Sequence, residues 1–167
     1  MNRILEKYET DEYFFSFLSP ELINAEKIQS LLQKVDTDFN PRLSIIHDLS
    51  KYAEKIINQA DAIYAITKSD FKVCGISVFY LRNRISDYGY WTMLAILNEY
   101  RGKGLGRKLS EAMISCCKME PTKGILSKAW STNIPSVQLH ASLGFEIDGM
   151  EKRNNSDDYT VKFKLLF

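Results

Sequence analysis

Net charge, cysteine and long apolar runs are all scarce in this chain, and each shortage excludes a class of function. The 167 residues carry 22 basic and 21 acidic side chains, a formal net charge of +1. No global field therefore draws the chain to nucleic acid or a membrane surface, and any affinity for an anion must be local. Three cysteines occur, Cys74, Cys116 and Cys117, two of them adjacent, which is no even, spaced disulfide framework. Reduced thiols in a cytoplasmic protein are the expectation. No apolar run approaches the ~20 residues of a membrane span. The start, "MNRILEKYETDEYFFSF", has early acids and no continuous apolar segment, so no signal peptide is expected. Repeats and low-complexity segments are absent too.

Two phosphate-binding motifs are also missing. A dinucleotide fingerprint GxGxxG begun at Gly102 would need glycine at Arg107, and begun at Gly104 would need it at Leu109. No GxxxxGK followed by Ser or Thr occurs, which excludes a nucleoside-triphosphate loop of that type.

What is present is enough apolar content, 45%, for one substantial core. A single domain over residues 1–167 is expected, with helices in 1–61 and a strand-rich part in 62–167. "YFFSFLS" reads as a short strand. "SPELINAEKIQSLLQKV" reads as a helix capped by Ser19, with Pro20 at its first position and Ile28, Leu31, Leu32 and Val35 on one face. "DTDFNPRLS" breaks the pattern, and "DLSKYAEKIINQA" forms a second helix. From residue 62 the texture turns to strands: "AIYAIT", "KVCGISVFYLRN" and "YGYWTMLAIL", the last a central strand covered on both faces. A helix from Leu105 to Met119, a strand "GILSKAW", a short helix in "NIPSVQLHASLGF" ending at Gly144, and a last strand "DYTVKFKLLF" complete the order βααβββαβαβ. The fold class is α/β (α+β), a sheet with helices on its faces.

Between the apolar strand and the long helix stands "YRGKGLGRKL", an R-x-x-G-x-G pattern. Glycines let successive N–H groups converge on an anion, and the helix N-terminus adds positive potential. Arg101, Lys103, Arg107 and Lys108 add formal charge at the same end, so a pyrophosphate suits the turn. About thirty residues later, "NIPSVQLHASLGFE" places Asn133, Ser136, Leu139, His140, Gly144 and Phe145 at the spacing N-x-x-[AS]-x-x-L-Y-x-x-x-G-F, with His140 at the tyrosine position. The two stretches, in this order and on these elements, resemble motifs A and B of the GCN5-related N-acetyltransferase (GNAT) superfamily, over roughly residues 62–167.

That resemblance implies a central, mixed and splayed sheet of about six to seven strands with helices on both faces. It also implies acetyl-CoA as cosubstrate and no metal. The pyrophosphate would meet main-chain N–H groups across Arg101, Gly102, Lys103, Gly104, Leu105, Gly106 and Arg107. Backbone groups of Leu94, Ala95 and Ile96 would pair with the pantetheine arm. Asn133 would bind pantetheine or nearby backbone, and Ser136 would flank it. Leu139 and Phe145 read as core anchors.

The implied chemistry is attack of a neutral amine on a thioester, which needs proximity, a sink for the amine proton and a proton or hydrogen bond for the leaving sulfur. His140 stands where the family carries a tyrosine acid, and an imidazole with a pKa near ~6.5 can donate to a thiolate. No carboxylate occupies the positions usual for a base, which are Thr92, Met93 and Lys128 here. Asp87, Glu99, His47, Asp38 or a water relayed by backbone are the remaining base candidates. Cys116 and Cys117 lie far down their helix and read as structural rather than as an acyl carrier. Tyr88, Tyr90 and Trp91 sit on the strand leading to the site, as core, edge or acceptor-lining groups.

The acceptor would be a primary amine of a small molecule. Asp36, Asp38, Asn40, Arg42 and His47 in the early loop suit a hydroxyl-rich ligand, an amino sugar or nucleotide-linked amino sugar. Two readings compete: a non-catalytic acyl-CoA-binding sensor or interaction module, and an acetyltransferase of protein N-termini or lysines. Oligomeric state, a homodimer included, is left open.

Overall fold

The structure, a computed structural model, describes residues 5–17, 23–81, 85–154 and 156–167. Seven strands form one sheet: β1 (Tyr13–Phe17), β2 (Asp61–Thr67), β3 (Val73–Tyr80), β4 (Gly89–Ile96), β5 (Gly124–Trp130), β6 (Glu146–Lys152) and β7 (Tyr159–Leu166), in the order β1-β2-β3-β4-β5-β7-β6. Every neighbouring pair is antiparallel except β4 with β5, which is parallel. Helices α1 (Ala25–Val35), α2 (Leu43–Ile46) and α3 (Leu49–Gln59) precede β2; α4 (Leu105–Lys118) follows β4 and α5 (Ile134–Ser142) follows β5.

Two apolar layers sandwich the sheet. On one face, Ile28, Leu32, Ala53 and Ile56 of α1 and α3 meet Tyr64, Ile76, Val78, Met93 and Ala95. On the other, Leu105, Leu109, Ala112 and Met113 of α4 meet Ile63, Phe79, Trp91 and Ile125. β2 is buried along its whole length, which is why it reads as an unbroken apolar run.

The expected helix start at Ser19 and Pro20 lies outside the described residues. Asn24 caps α1, its Oδ1 accepting from Lys27 N–H at 3.0 Å. Two elements were not anticipated. The turn α2 is held by Asp36, whose carboxylate accepts from Ser44 N–H at 2.7 Å and Ser44 Oγ–H at 2.8 Å. β6, "EIDGMEK", is exposed along nearly its whole length, so no apolar alternation marks it; it is a strand because β7 pairs with it.

β4 carries the feature that shapes the site. Val78 faces Met93 but Phe79 faces Trp91, so Thr92 is an extra residue, a β-bulge. The bulge exchanges the two faces of the strand. Trp91 packs toward α4, whereas Met93 and Ala95 pack toward α1 and α3, and Leu94 and Ile96 turn to the α4 side.

Candidate active site

β4 and β5 pair only over Gly89–Ile125, Tyr90–Leu126 and Trp91–Ser127. Beyond Trp91 they part, and β5 continues against β7 to Trp130. The edge of β4 from Thr92 to Ile96 thus has no partner strand on the β5 side among the described residues. On the β3 side, Leu97 N–H donates to Cys74 C=O at 2.9 Å. Bonded and non-bonded pairs alternate on an antiparallel ladder, so Ala95 is bonded to Ile76, while the backbone groups of Leu94 and Ile96 point away from β3 into the gap. Of the three residues expected to offer backbone there, Leu94 does so with both groups and Ile96 with its N–H, its carbonyl accepting from Arg101 Nε, and Ala95 is committed to the sheet.

The glycine turn stands at the same end of the sheet. Gly102 and Gly104 have φ of +75° and +76°, and an added Cβ at either would meet no heavy atom within 4 Å. These are left-handed positions that favour glycine, and the space beside them is open. No side chain caps α4, whose first bond is Lys108 N–H to Gly104 C=O at 3.1 Å. The N–H groups of Leu105, Gly106 and Arg107 precede that bond and have no helical acceptor. A Cβ on Gly106 would lie 3.6 Å from Leu94 Cδ2, so the helix start rests directly on the open part of β4.

The charge of the turn differs from expectation. Arg101 pairs with Asp38 and donates through Nε to Ile96 C=O at 3.0 Å. Lys103 donates to Tyr13 Oη at 2.9 Å and stands over the rings of Tyr13 and Tyr100. Arg107 pairs with Glu111 one turn on, at 3.0 Å. Only Lys108 of the four has no acidic partner among the described residues. Attraction for an anion at this turn therefore rests on backbone N–H groups and the helix end more than on side-chain charge.

Asn133 caps α5, its Oδ1 accepting from Ser136 N–H at 3.3 Å. Ser136 C=O lies 2.7 Å from His140 Nδ1, and Ser127 Oγ lies 2.9 Å from Nε2. His140 is 4% exposed, stacked on Phe163 at 4.3 Å and close to Trp91 and Phe145. Burial lowers its pKa below the ordinary histidine value, partly opposed by the Ser136 carbonyl. Both ring nitrogens are engaged, so direct protonation of a sulfur in the gap would require the ring to leave this stack. As placed, His140 is a buried residue with both ring nitrogens bonded, an arrangement that does not favour the general-acid role expected of it.

Among the base candidates, Glu99 pairs with Lys72 at 3.1 Å, Asp87 with Lys123 at 2.6 Å, and Asp38 with Arg101. A backbone bond and the Lys72 contact hold the Glu99 carboxyl below its usual range, which weakens it as a base. His47 is exposed, makes no ion pair among the described residues, and stacks on Tyr52 with ring centres 4.4 Å apart. Asp36 and Asp38, expected to meet a hydroxyl-rich ligand, are instead taken up by Ser44 and Arg101. Trp91 is core, Tyr90 is half-buried opposite Tyr80, and Lys164 covers Tyr88 at 5.0 Å. Burial pushes the Cys74 and Cys116 thiols up to about 11, which makes them poor nucleophiles. No group of His, Cys, Asp or Glu among the described residues could hold a metal ion, and no described helix is long and apolar enough to cross a membrane.

Sequence reasoning missed the Thr92 bulge and Ser127. A bulge leaves no local signature, and Ser127 gains meaning only from its neighbours across the sheet.

Residues 27–145 match the family model described as Acetyltransferase (GNAT) family. The SPbeta prophage-derived uncharacterized N-acetyltransferase YokL of Bacillus subtilis (strain 168) is 24% identical over 125 residues, 74% of this chain and 68% of that protein. The ribosomal-protein-S5-alanine acetyltransferase of Vibrio fischeri superposes with a TM-score of 0.75 at 18% identity, covering 95% of this chain and 94% of that one. A Bacillus anthracis (strain Ames) protein described as a streptothricin acetyltransferase, solved with acetyl coenzyme A, superposes with a TM-score of 0.60 at 21% identity, covering 68% and 67%.

Proposed function

Because the chain belongs to the GNAT acetyltransferase family, we propose that it moves the acetyl group of acetyl-CoA onto a primary amine of a small molecule, by direct attack with both substrates bound. The observation that carries this reading is the open β4 edge with the uncapped glycine turn at its end. Backbone N–H groups from Gly102 to Arg107 suit the pyrophosphate, and the backbone of Leu94 with the Ile96 N–H suits the amide-bearing arm as an added strand. The thioester would then sit where β4 and β5 separate, beside the Thr92 bulge, with Asn133 and Ser136 at the start of α5 as the expected flanking residues. A strand N–H there would polarise the carbonyl as the amine attacks.

For the amine proton, His47 is the side chain to test first, because the three carboxylate candidates are ion-paired. For the acceptor, an amino sugar, free or nucleotide-linked, is the first class to test. Half-buried Tyr80 and Tyr90 lie on the α1–α3 side of the sheet and offer aromatic surface for a sugar ring.

One observation favours a second reading, a non-catalytic acyl-CoA binder: no free carboxylate stands among the proposed bases. Two measurements separate the readings. Acetyl-CoA should raise the melting temperature, and no stabilisation would defeat both. Thiol release should then be followed over amino sugars, nucleotide-linked amino sugars, N-terminal peptides and polyamines. Release with one class identifies the acceptor, and stabilisation without release from any amine leaves the binder.

A further inference from the structure

The last residues that pair before β4 and β5 separate are Trp91 and Ser127, and a buried polar chain is built on them. Ser127 Oγ lies 3.1 Å from Trp91 C=O and 2.9 Å from His140 Nε2; His140 Nδ1 lies 2.7 Å from Ser136 C=O. The Trp91 indole N–H donates to Met93 C=O at 3.2 Å, spanning the Thr92 bulge. Ser127 and His140 are each 4% exposed.

Counting protons fixes the direction of the chain. Ser136 C=O can only accept, so Nδ1 carries the ring hydrogen. In the neutral ring Nε2 is then an acceptor, and the hydroxyl of Ser127 is its donor. The hydroxyl has one hydrogen, so the ring and the Trp91 carbonyl compete for it. Packing of the imidazole against Phe163, Trp91 and Phe145 holds the ring in place and decides where the serine oxygen sits. A helix carbonyl, a ring, a strand hydroxyl and the neighbouring strand's carbonyl thus meet at the apex of the gap.

We propose that His140 and Ser127 form a positioning pair that fixes where β4 and β5 part, and with it the seat of the reacting carbonyl along the open edge. The inference rests on the acetyl-transfer reading above. Neither side chain touches substrate; both act through Trp91 and the strand.

Ser127→Ala removes one oxygen with little change in volume, so loss of packing is not the issue. Turnover should fall about tenfold as the thioester loses its alignment. Acetyl-CoA affinity should stay within about twofold, since the turn is untouched. The pH profile should keep its shape in both Ser127→Ala and His140→Asn. Turnover near the wild-type level in Ser127→Ala would overturn the pair. Loss of the alkaline limb in His140→Asn would overturn it too, by making His140 the proton donor.

A second readout needs no acceptor. The chain has two histidines, so imidazole nitrogen resonances are simple to assign. His140 should be protonated on Nδ1, with the Nε2 signal shifting in Ser127→Ala. Protonation on Nε2 in the neutral ring would refute the pair. If no amine is acetylated by the wild-type protein, the acetyl-transfer reading fails, and these resonances still decide the pair.

Discussion

Gly104→Ala tests the turn because its two costs can be measured apart. At φ +76° an alanine pays about 1–2 kcal/mol of left-handed strain. Its methyl would meet nothing within 4 Å, so packing adds no further cost. For a chain of this size that strain corresponds to a melting temperature lower by roughly 2–8 °C. The second cost exists only when an anion is bound, because the methyl stands in the open space beside the turn's N–H groups. Loss of one backbone bond to a charged oxygen is worth about 1.5–3 kcal/mol, or roughly ten- to hundredfold in affinity. Gly144→Ala is the control. Its φ is +86° and its Cβ would sit 3.7 Å from Leu165 Cδ1, so it brings similar strain just past the C-terminal end of α5, outside the turn's own backbone. Calorimetric titration with acetyl-CoA and thermal melts of the three proteins supply the comparison. Both variants should lose stability alike, and only Gly104→Ala should lose affinity. Equal acetyl-CoA affinity in the two variants would refute the assignment of the turn.

Two further outcomes follow from the same geometry. The Arg101–Asp38 pair joins partly exposed side chains, so a double-mutant cycle of alanine substitutions should give a coupling of about 0.5–1 kcal/mol by urea unfolding. A coupling near zero would mean the two do not hold the early loop to β4. His140 has its pKa lowered in the folded state, chiefly by burial. The stability this brings is fully present above the unfolded value near ~6.5 and is lost as the pH falls through the folded value. Melts from pH 7.5 to 5 should therefore fall less steeply in His140→Asn than in the wild type; equal slopes would place the titrating group elsewhere.

Much of the fold was legible because its signals are local. β5 falls on "GILSKAW", the segment expected, and α3 and β4 differ from the reading by a residue at each end. A period of apolar residues, a cap or a left-handed glycine is set by neighbours in the chain, so the sequence shows it directly. β6 was illegible for the opposite reason: its side chains are exposed, and only pairing with β7 makes it a strand. The site divides in the same way. The glycine turn was readable at Arg101–Gly106, whereas the fork at Trp91 and Ser127 was not.

The sequence by itself determined that a glycine turn joins a buried strand to a helix start, and that a second motif follows at a fixed spacing. Backbone conformation at those points depends on residue type and close neighbours. Only the tertiary structure decided which groups are free to act. Arg101 finds Asp38 across 63 positions, and Lys103 finds Tyr13 across 90. His140 is packed against Phe163 and Trp91 and bonded to Ser127. Such pairings depend on distance through space, which residue spacing along the chain does not contain.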